Sequence, residues 1–417
     1  MMSVNKLISA LKKHKSYLLL FLGRLYYRLA FLALTLVLSV VWERGDFGYY
    51  AAKMGTWILI DTLLISGMGV SIPKLLTRYS LLKTVLIRQS ILITLLISVV
   101  VISVVSVIGV LLSHYLRIDF DMLDIMIICS LLAYAFCAVL QCIFRVVGKI
   151  SYDYTASFVS GSFMVILAIF SFFFEMSPMT NVMFRLLYFI IINIYLTIKI
   201  FKLFPLDRKY SRRIYEISRL RIIKETMVMG FNGVVVDANI SVINIVFRFN
   251  RLFEVAADFN IILAIVGPFL AFYRYFLFII VPKIVEFARL GKNYFMDNYA
   301  KKVLFFAALT VVISVAAFIF VSTSGSGIIH LFILFLCRVP LLILFEAILI
   351  YLEAAVTKNL IFTARICLSG FIMCSISAFL LIPISGATGA IFALVLMDVV
   401  TITYSLISFY TSKKIVY

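Results

Sequence analysis

The sequence predicts an all-α membrane protein with 12 transmembrane helices in two six-helix lobes. Of its 417 residues, 64% are hydrophobic and only 14% are charged, whereas a soluble domain is nearer half apolar and a quarter charged. Apolar stretches of about 20 residues recur along the chain, and each is long enough to cross a bilayer core of about 30 Å. These runs are continuous, unlike the alternating pattern of a membrane β-barrel.

Each long apolar run is predicted to be one membrane span. The basic amino terminus resembles that of a signal peptide, but the apolar run after it is too long and lacks a convincing small-residue cleavage site. We therefore predict a retained first span. The predicted spans are 18–42, 47–70, 86–112, 125–147, 155–174, 182–203, 226–247, 255–281, 302–322, 327–349, 360–382 and 388–410.

The longest hydrophilic stretch divides the spans into two sets of six. It gives an N-terminal lobe at 1–203, a basic cytoplasmic linker at 204–225 and a C-terminal lobe at 226–417. The segments SIPKLLTRY (71–79) and IVPKIVEFA (280–288) share a Pro-Lys pair at the same end of spans 2 and 8. This predicts parallel repeats related by a pseudo-two-fold axis along the membrane normal; a chance match is the alternative.

Lysine and arginine concentrate in alternate loops, which sets the predicted orientation. Cytoplasmic loops carry an excess of these residues, so both termini are predicted to be cytoplasmic. The net charge of +19 then reflects topology and attraction to anionic lipids, and we expect no nucleic-acid binding. The opposite loops hold only a few arginines, namely Arg44, Arg117, Arg185, Arg248 and Arg251.

Two arginines lie inside the first predicted span. Arg24 and Arg28 are four residues apart and so share one helix face, which Thr35 and Ser39 continue. A charge at this depth costs about 2.5 to 3.5 kcal/mol on insertion scales, so it usually faces a cavity or a partner. Snorkelling of the long side chains to the cytoplasmic interface is the alternative.

Further charges lie inside spans 2, 7 and 8. In span 2, Lys53 is a cavity or outer-interface residue, and Asp61 is either a partner of an arginine or a site for a coupling ion. Asp237 of span 7 could likewise pair with an arginine or bind a coupling ion, and interhelical hydrogen bonding is a third role. Arg274 of span 8 lies roughly 12 Å from the cytoplasmic end by helical rise. Cations therefore outnumber acids, which suits an anionic headgroup, because arginine binds phosphate with a planar fork of donors.

Three segments carry a family resemblance: DFGYY (46–50), GMGVSIPKLLTRY (67–79) and FIIVPKIVEFARLGK (278–292). With the 12 spans and the basic central loop, they make the chain similar to polysaccharide flippases of the O-antigen type. These belong to the multidrug/oligosaccharidyl-lipid/polysaccharide exporter superfamily. The resemblance implies two lobes around a central cationic cavity and export of an undecaprenyl-diphosphate-linked oligosaccharide by alternating access.

The resemblance also implies which residues bind the cargo. Basic residues of spans 1, 2 and 8 line the cavity in relatives, and they correspond here to Arg24, Arg28, Lys53 and Arg274. The acids Asp61 and Asp237 depart from this pattern, and whether they bind ions or pair with arginine is open.

The implied setting is the bacterial inner membrane. The expected partners are the lipid-linked glycan, membrane lipids and other polysaccharide-assembly proteins. We expect neither a metal nor a cofactor, apart from a coupling H⁺ or Na⁺. Another small-molecule or drug exporter of the same superfamily is one alternative. A membrane polysaccharide polymerase or ligase is another; the short outer loops disfavour it, and we predict that the protein is not an enzyme. The chain also lacks a GxxxxGK[ST] nucleotide-binding loop.

Overall fold

A computed structural model describes residues 4–78, 82–116, 119–205, 219–220, 222–223, 226, 238–267, 331, 335 and 360–411. The regular structure in these ranges is helical. Seven helical segments among them are long and apolar enough to cross a membrane. The described part of the chain is therefore helical, and its long apolar helices are typical of a membrane protein, as the composition predicts.

Six long helices form the first half of the described chain. Each contains the apolar part of one of the first six predicted spans, and several extend beyond it into the flanking polar sequence. They are α1 (Val4–Val41), α2 (Arg44–Arg78), α3 (Lys83–Leu116), α4 (Met122–Val146), α5 (Ile150–Phe174) and α6 (Pro178–Leu203).

A tight turn joins the next two helices, α7 (Ala238–Phe249) and α8 (253–267). The amide of Leu252 donates to the carbonyl of Phe247 at 2.9 Å, and that of Arg251 donates to Arg248 at 3.2 Å. Together with the positive φ of 56° at Arg251, these bonds form a Schellman motif, which satisfies the last carbonyls of a helix. The turn lies between the segments predicted as spans 7 and 8.

The long helical segment Leu360–Thr411 is two helices, α9 (360–385) and α10 (387–411), divided at Gly386. Gly386 has φ 57°, a left-handed conformation that glycine adopts without steric cost. Gly370 of α9 lies directly against Met397 and Thr401 of α10. These contacts are symmetric about the break, so the two helices run antiparallel. They coincide with predicted spans 11 and 12.

Predicted spans 9 and 10 (302–322 and 327–349) lie outside the described residues, except for 331 and 335. The arrangement of 12 helices in two lobes therefore stays a prediction.

The described chain belongs to two compact units. The first comprises Met1–Glu43 and Trp57–Asp237, and the second comprises Arg44–Thr56 and Ala238–Tyr417. Helix α2 contributes its first 13 residues to the second unit and the rest to the first. The lobe and linker boundaries predicted from the sequence stay a prediction.

Close packing of α1 on α5 organises the first unit. Gly23 of α1 lies against the carbonyl of Tyr154 and the ring of Phe158, and Gly161 of α5 lies against Tyr26. Small residues let membrane helices approach closely, and this packing drives their association. The packing against α5 buries one face of α1 and leaves its other faces available for other contacts.

Helix α4 packs on α6 in the same unit. The side-chain amide of Asn193 donates to the carbonyl of Ala133 at 2.7 Å, and the ring centroids of Tyr134 and Phe189 are 5.4 Å apart. This packing positions Tyr134 in the middle of α4, beside the charged residues described below.

Candidate functional site

Helix α1 presents three different faces. Its buried stripe contains Leu20, Ala30, Leu34 and Leu38, and its exposed apolar stripe contains Leu18, Leu22, Leu29 and Val40. With 3.6 residues per turn, Arg28 points roughly 105° away from the middle of the exposed apolar stripe. Arg24, Thr35 and Ser39 share the third face with it. The charges of α1 are therefore separated from the surface that suits lipid tails.

The polar face of α1 extends deep into the membrane segment. That segment runs from Leu18 to Val41, and helical rise places Arg24 and Arg28 roughly 9 and 15 Å past its start. Arg28 is thus close to the middle of a segment that spans the bilayer. A guanidinium at this depth usually faces a cavity or a partner and often has a functional role.

Arg24 lies in a cluster of three charged side chains. Its Nη2 atom lies 3.4 Å from Oδ2 of Asp153, and Nε of Arg145 lies 2.9 Å from the same oxygen. The Asp153 side chain is 0% exposed, whereas both arginine side chains are 34% exposed. One buried carboxylate thus holds two cations, and the cluster keeps an excess positive charge.

A pair of tyrosines connects this cluster with Arg28 and Asp61. The rings of Tyr27 and Tyr134 stack at 5.8 Å with an interplanar angle of 15°. The electrostatic influence of Arg24, Arg28 and Asp61 extends to the Tyr134 hydroxyl. Three of the residues predicted from the sequence therefore lie within electrostatic range of one aromatic side chain.

Arg28 itself is exposed. Within the described ranges, no carboxylate lies within ion-pair distance of its guanidinium. The charge at mid-membrane depth is therefore placed where an anionic ligand can reach it, and this is the feature on which the functional argument depends.

Asp61 is buried in the middle of α2. It accepts a hydrogen bond from the hydroxyl of Thr62 at 3.4 Å, and it lies about 12 residues from Pro73, near the middle of the segment Arg44–Pro73. Ion binding and pairing with an arginine both stay predictions for Asp61.

Arg185 is a further cation that the sequence analysis placed wrongly in an outer loop. Helix α6 begins at Pro178, and the hydroxyl of Ser177 caps it by accepting from the Thr180 amide. Arg185 is therefore inside the helix, where it is 4% exposed and lies 5.3 Å from the Phe31 ring. Its charge also acts on Tyr27. Arg185 lies three residues inside predicted span 6, and this position could have identified it as a charge within the membrane.

The sequence analysis also missed the role of Asp153. By the predicted spans, Asp153 lies between spans 4 and 5, and its partner Arg145 lies at the end of span 4. In the structure Asp153 lies in the first turn of α5, and Arg145 in the last turn of α4. Arg248 was likewise expected in a loop but is a buried residue of α7. An acid within a basic loop was the available signal for Asp153.

Lys53 belongs to the second unit. Its side chain is 0% exposed, and its Nζ atom lies 4.3 Å from the centre of the Tyr49 ring, one helical turn earlier. A cation over an aromatic face is favourable, especially where water is excluded. Lys53 is therefore buried within the second unit, whereas Arg28 is exposed.

Polar side chains of α7 and α8 surround the segment that carries Lys53. The hydroxyl of Ser241 donates to the Gly55 carbonyl at 3.0 Å, and the Asn260 amide donates to Oδ1 of Asn244 at 3.0 Å. A Cβ atom at Gly55 would overlap the Asn244 side chain. Arg44, at the start of α2, forms an ion pair with Asp258 of α8. The start of α2 is thus firmly packed within the second unit.

Two predicted site residues, Arg274 and Asp237, lie outside the described residues. Their roles in cargo and ion binding stay predictions.

No family model and no curated protein matches this chain. Solved structures match it over nearly its whole length. An inward-facing multidrug resistance MATE family transporter of the MOP superfamily has a TM-score of 0.66 and 13% identity, covering 93% of each chain. The lipid II flippase MurJ, in an inward closed conformation, has a TM-score of 0.59 and 13% identity, covering 94% of this chain and 88% of its own.

A third similar structure is a MOP superfamily transporter from Pyrococcus furiosus. Its TM-score is 0.55 at 14% identity, and the match covers 95% of this chain and 94% of that one. At such low identity these comparisons establish the fold alone. The chain therefore has a fold similar to that of MOP superfamily transporters.

Proposed function

We propose that the protein flips a lipid-linked oligosaccharide from the cytoplasmic to the outer leaflet of the bacterial inner membrane. The cargo class is an undecaprenyl-diphosphate-linked O-antigen or similar repeat unit. The observation that carries the proposal is the polar face of α1, on which Arg28 is exposed near mid-membrane depth. A guanidinium at this depth is well suited to bind the phosphate groups of a lipid-linked cargo.

The charge balance around α1 supports an anionic cargo. The cations are Arg24, Arg28, Arg145 and Arg185, and the acids are Asp61 and Asp153. A diphosphate would compensate the excess positive charge. Arginine is suited to this role because it stays charged and binds phosphate through two parallel hydrogen bonds.

The fold supports transport but leaves the cargo open, because a multidrug transporter and a lipid II flippase share it. The excess of cations favours the lipid-linked anion over an organic cation, which the same charges would repel. A small-molecule exporter of the same superfamily is the second candidate function, and the shared fold is the observation that supports it.

In the proposed mechanism, Arg24 and Arg28 capture the diphosphate from the cytoplasmic side. The glycan occupies a polar cavity to which Lys53 and Arg274 also contribute, while the prenyl chain stays in lipid. Rocking of the two halves then exposes the cargo to the outer side, as in other transporters built from repeats.

Ion or potential coupling completes the proposed cycle. An inside-negative potential of 100 mV contributes about 2.3 kcal/mol per charge, and it favours outward movement of an anion. Entry of H⁺ or Na⁺ at Asp61 or Asp237 resets the empty carrier. Both termini are cytoplasmic in this proposal, and other polysaccharide-assembly proteins supply and receive the glycan.

Deletion of the gene tests the proposed function. The expected result is loss of a surface polysaccharide together with accumulation of its lipid-linked repeat unit on the cytoplasmic leaflet. Normal polymer in the deletion strain, with no accumulated intermediate and increased sensitivity to toxic small molecules, would instead support the second candidate function.

A further inference from the structure

Basic and aromatic side chains cluster where α3 begins and α6 ends, within the first unit. We call this cluster the basic corner. Its members are Lys83 and Arg88 of α3, Tyr195, Lys199, Phe201 and Lys202 of α6, Phe204 directly after α6, and Arg219. None of these residues takes part in the cargo site proposed above.

Arg88 is the fixed centre of the basic corner. Its Nη2 and Nε atoms donate to the Phe204 carbonyl at 2.9 and 3.2 Å, and its guanidinium lies 5.1 Å from the centre of the Phe201 ring. The carbonyl follows the end of α6, where a cation also interacts favourably with the helix dipole. This arrangement holds a positive charge at the end of two membrane helices.

Other cations of the basic corner contact aromatic rings or a neutral polar side chain. Lys83 Nζ lies 5.9 Å from the centre of the Phe204 ring, and Lys199 Nζ lies 5.4 Å from that of Tyr195. Nε of Arg219 donates to Gln89 at 3.1 Å. Lys202 is exposed. The supports are neutral, so they position the cations without cancelling their charge.

The exposed positive charge of these helices concentrates at one end, since Arg185 of α6 is buried. In the part of the chain that the structure describes, no carboxylate forms an ion pair with a cation of the basic corner. At their other ends, α3 finishes with His114, Tyr115 and Leu116, and α6 starts with Pro178, Met179 and Thr180. Those described ends hold no lysine or arginine.

We propose that the basic corner binds the phosphate headgroup of an anionic membrane phospholipid. Lipid headgroups lie at the level where membrane helices end, and basic clusters on the cytoplasmic side attract anionic ones. The exposed rings of Tyr195 and Phe201 suit the same level, because aromatic side chains favour the membrane interface. This proposal depends on the membrane fold and the charges, and it is independent of the transported cargo.

Native mass spectrometry of the full-length protein in neutral detergent tests the proposal. The probe is dioleoyl phosphatidylglycerol, and dioleoyl phosphatidylcholine is the reference lipid without net charge. The test variant is Lys199→Gln with Lys202→Gln, which leaves the Arg88 anchor intact. The matched control is Lys15→Gln with Lys149→Gln, because both lysines are exposed, Lys15 precedes the apolar segment of α1, and Lys149 directly precedes α5.

The expected result is tighter binding of phosphatidylglycerol than of phosphatidylcholine by the unchanged protein. Each lysine near an anionic surface contributes up to roughly a fivefold factor, so loss of both lysines should weaken phosphatidylglycerol binding by up to roughly 25-fold. The control should change it less than about twofold. Equal weakening in both variants would show diffuse surface attraction and overturn the proposal. Unchanged binding in the test variant, or no preference for phosphatidylglycerol, would also overturn it.

Discussion

Arg145 and Asp153 form an ion pair at 2.9 Å across the connection between α4 and α5, and Arg24 of α1 approaches the same carboxylate oxygen. The carboxylate is fully buried, and the two guanidinium groups are partly exposed. Asp153 therefore joins three helices and fixes the position of the first cation on the polar face of α1. The geometry makes Asp153 a positioning residue for the site.

Asp153→Ala should destabilise the protein by about 2 kcal/mol, because two arginines lose a buried, charged hydrogen-bond acceptor. The predicted readout is a lower thermal unfolding midpoint in detergent. Glu43→Gln is the control, since Glu43 is exposed and its substitution should leave the midpoint unchanged. An unfolding midpoint in Asp153→Ala equal to that of Glu43→Gln would mean that the cluster does not hold the three helices together.

Asp124→Asn should weaken the start of α4. The carboxylate of Asp124 accepts from the Trp57 indole at 2.6 Å and from the Asp121 amide at 3.2 Å, as part of a capping box. Losing the charged acceptor should cost about 1 to 2 kcal/mol. The measurement is the tryptophan fluorescence of Trp57 in a Trp42→Phe background, which should shift as the charged acceptor of the indole becomes a neutral amide. An unshifted spectrum with unchanged stability would contradict the assignment.

Gly386→Ala should disrupt the turn between α9 and α10. An L-residue with a side chain at φ 57° and ψ −130° is strained by about 1 to 3 kcal/mol, because non-glycine residues rarely adopt this conformation. The control is Gly69→Ala in α2, where nothing lies within 4 Å of the added methyl group and alanine favours the helix. We expect a lower unfolding midpoint for Gly386→Ala alone. Equal midpoints in the two variants would argue against a hairpin turn at Gly386.

Asp61→Asn tests the proposed coupling site. If Asp61 binds the coupling ion, the substitution should remove the dependence of glycan export on a proton or sodium gradient. Export is measured in vesicles with and without each gradient, at equal protein abundance. Retained gradient dependence in Asp61→Asn would assign Asp61 to pairing alone and leave Asp237 as the remaining predicted ion site.

The helices could be predicted from the sequence because local hydrophobicity determines them. The polar face of α1 was also predictable, since Arg24 and Arg28 are four residues apart and helical periodicity places them together. The pairing of Arg24 with Asp153 was not, because the two residues are 129 positions apart and only the packing of α1 on α5 brings them into contact.

Helix boundaries explain the other differences. Hydropathy ends a span at its first charges, whereas hydrogen bonding and caps extend the helix beyond them. Asp153 therefore fell outside the predicted spans, although α5 starts at Ile150. Arg185 was counted with a loop because of its charge, although predicted span 6 and helix α6 both contain it. Lys53 was predicted as a charge inside a span, and it does lie inside α2. Its burial over Tyr49 was not predictable, because it depends on the packing of α2 with α7 and α8.

The most direct test of the cationic face of α1 uses purified protein in liposomes and a fluorescent undecaprenyl-diphosphate-linked oligosaccharide. Movement of this lipid between leaflets is measured for the unchanged protein, Arg28→Ala and the control Leu29→Ala, an exposed apolar neighbour. We predict transport by the unchanged protein and by Leu29→Ala, and a rate at least about tenfold lower for Arg28→Ala, equivalent to the loss of about 1.4 kcal/mol of interaction. Equal rates in Arg28→Ala and the unchanged protein, or no transport by either, would contradict the account.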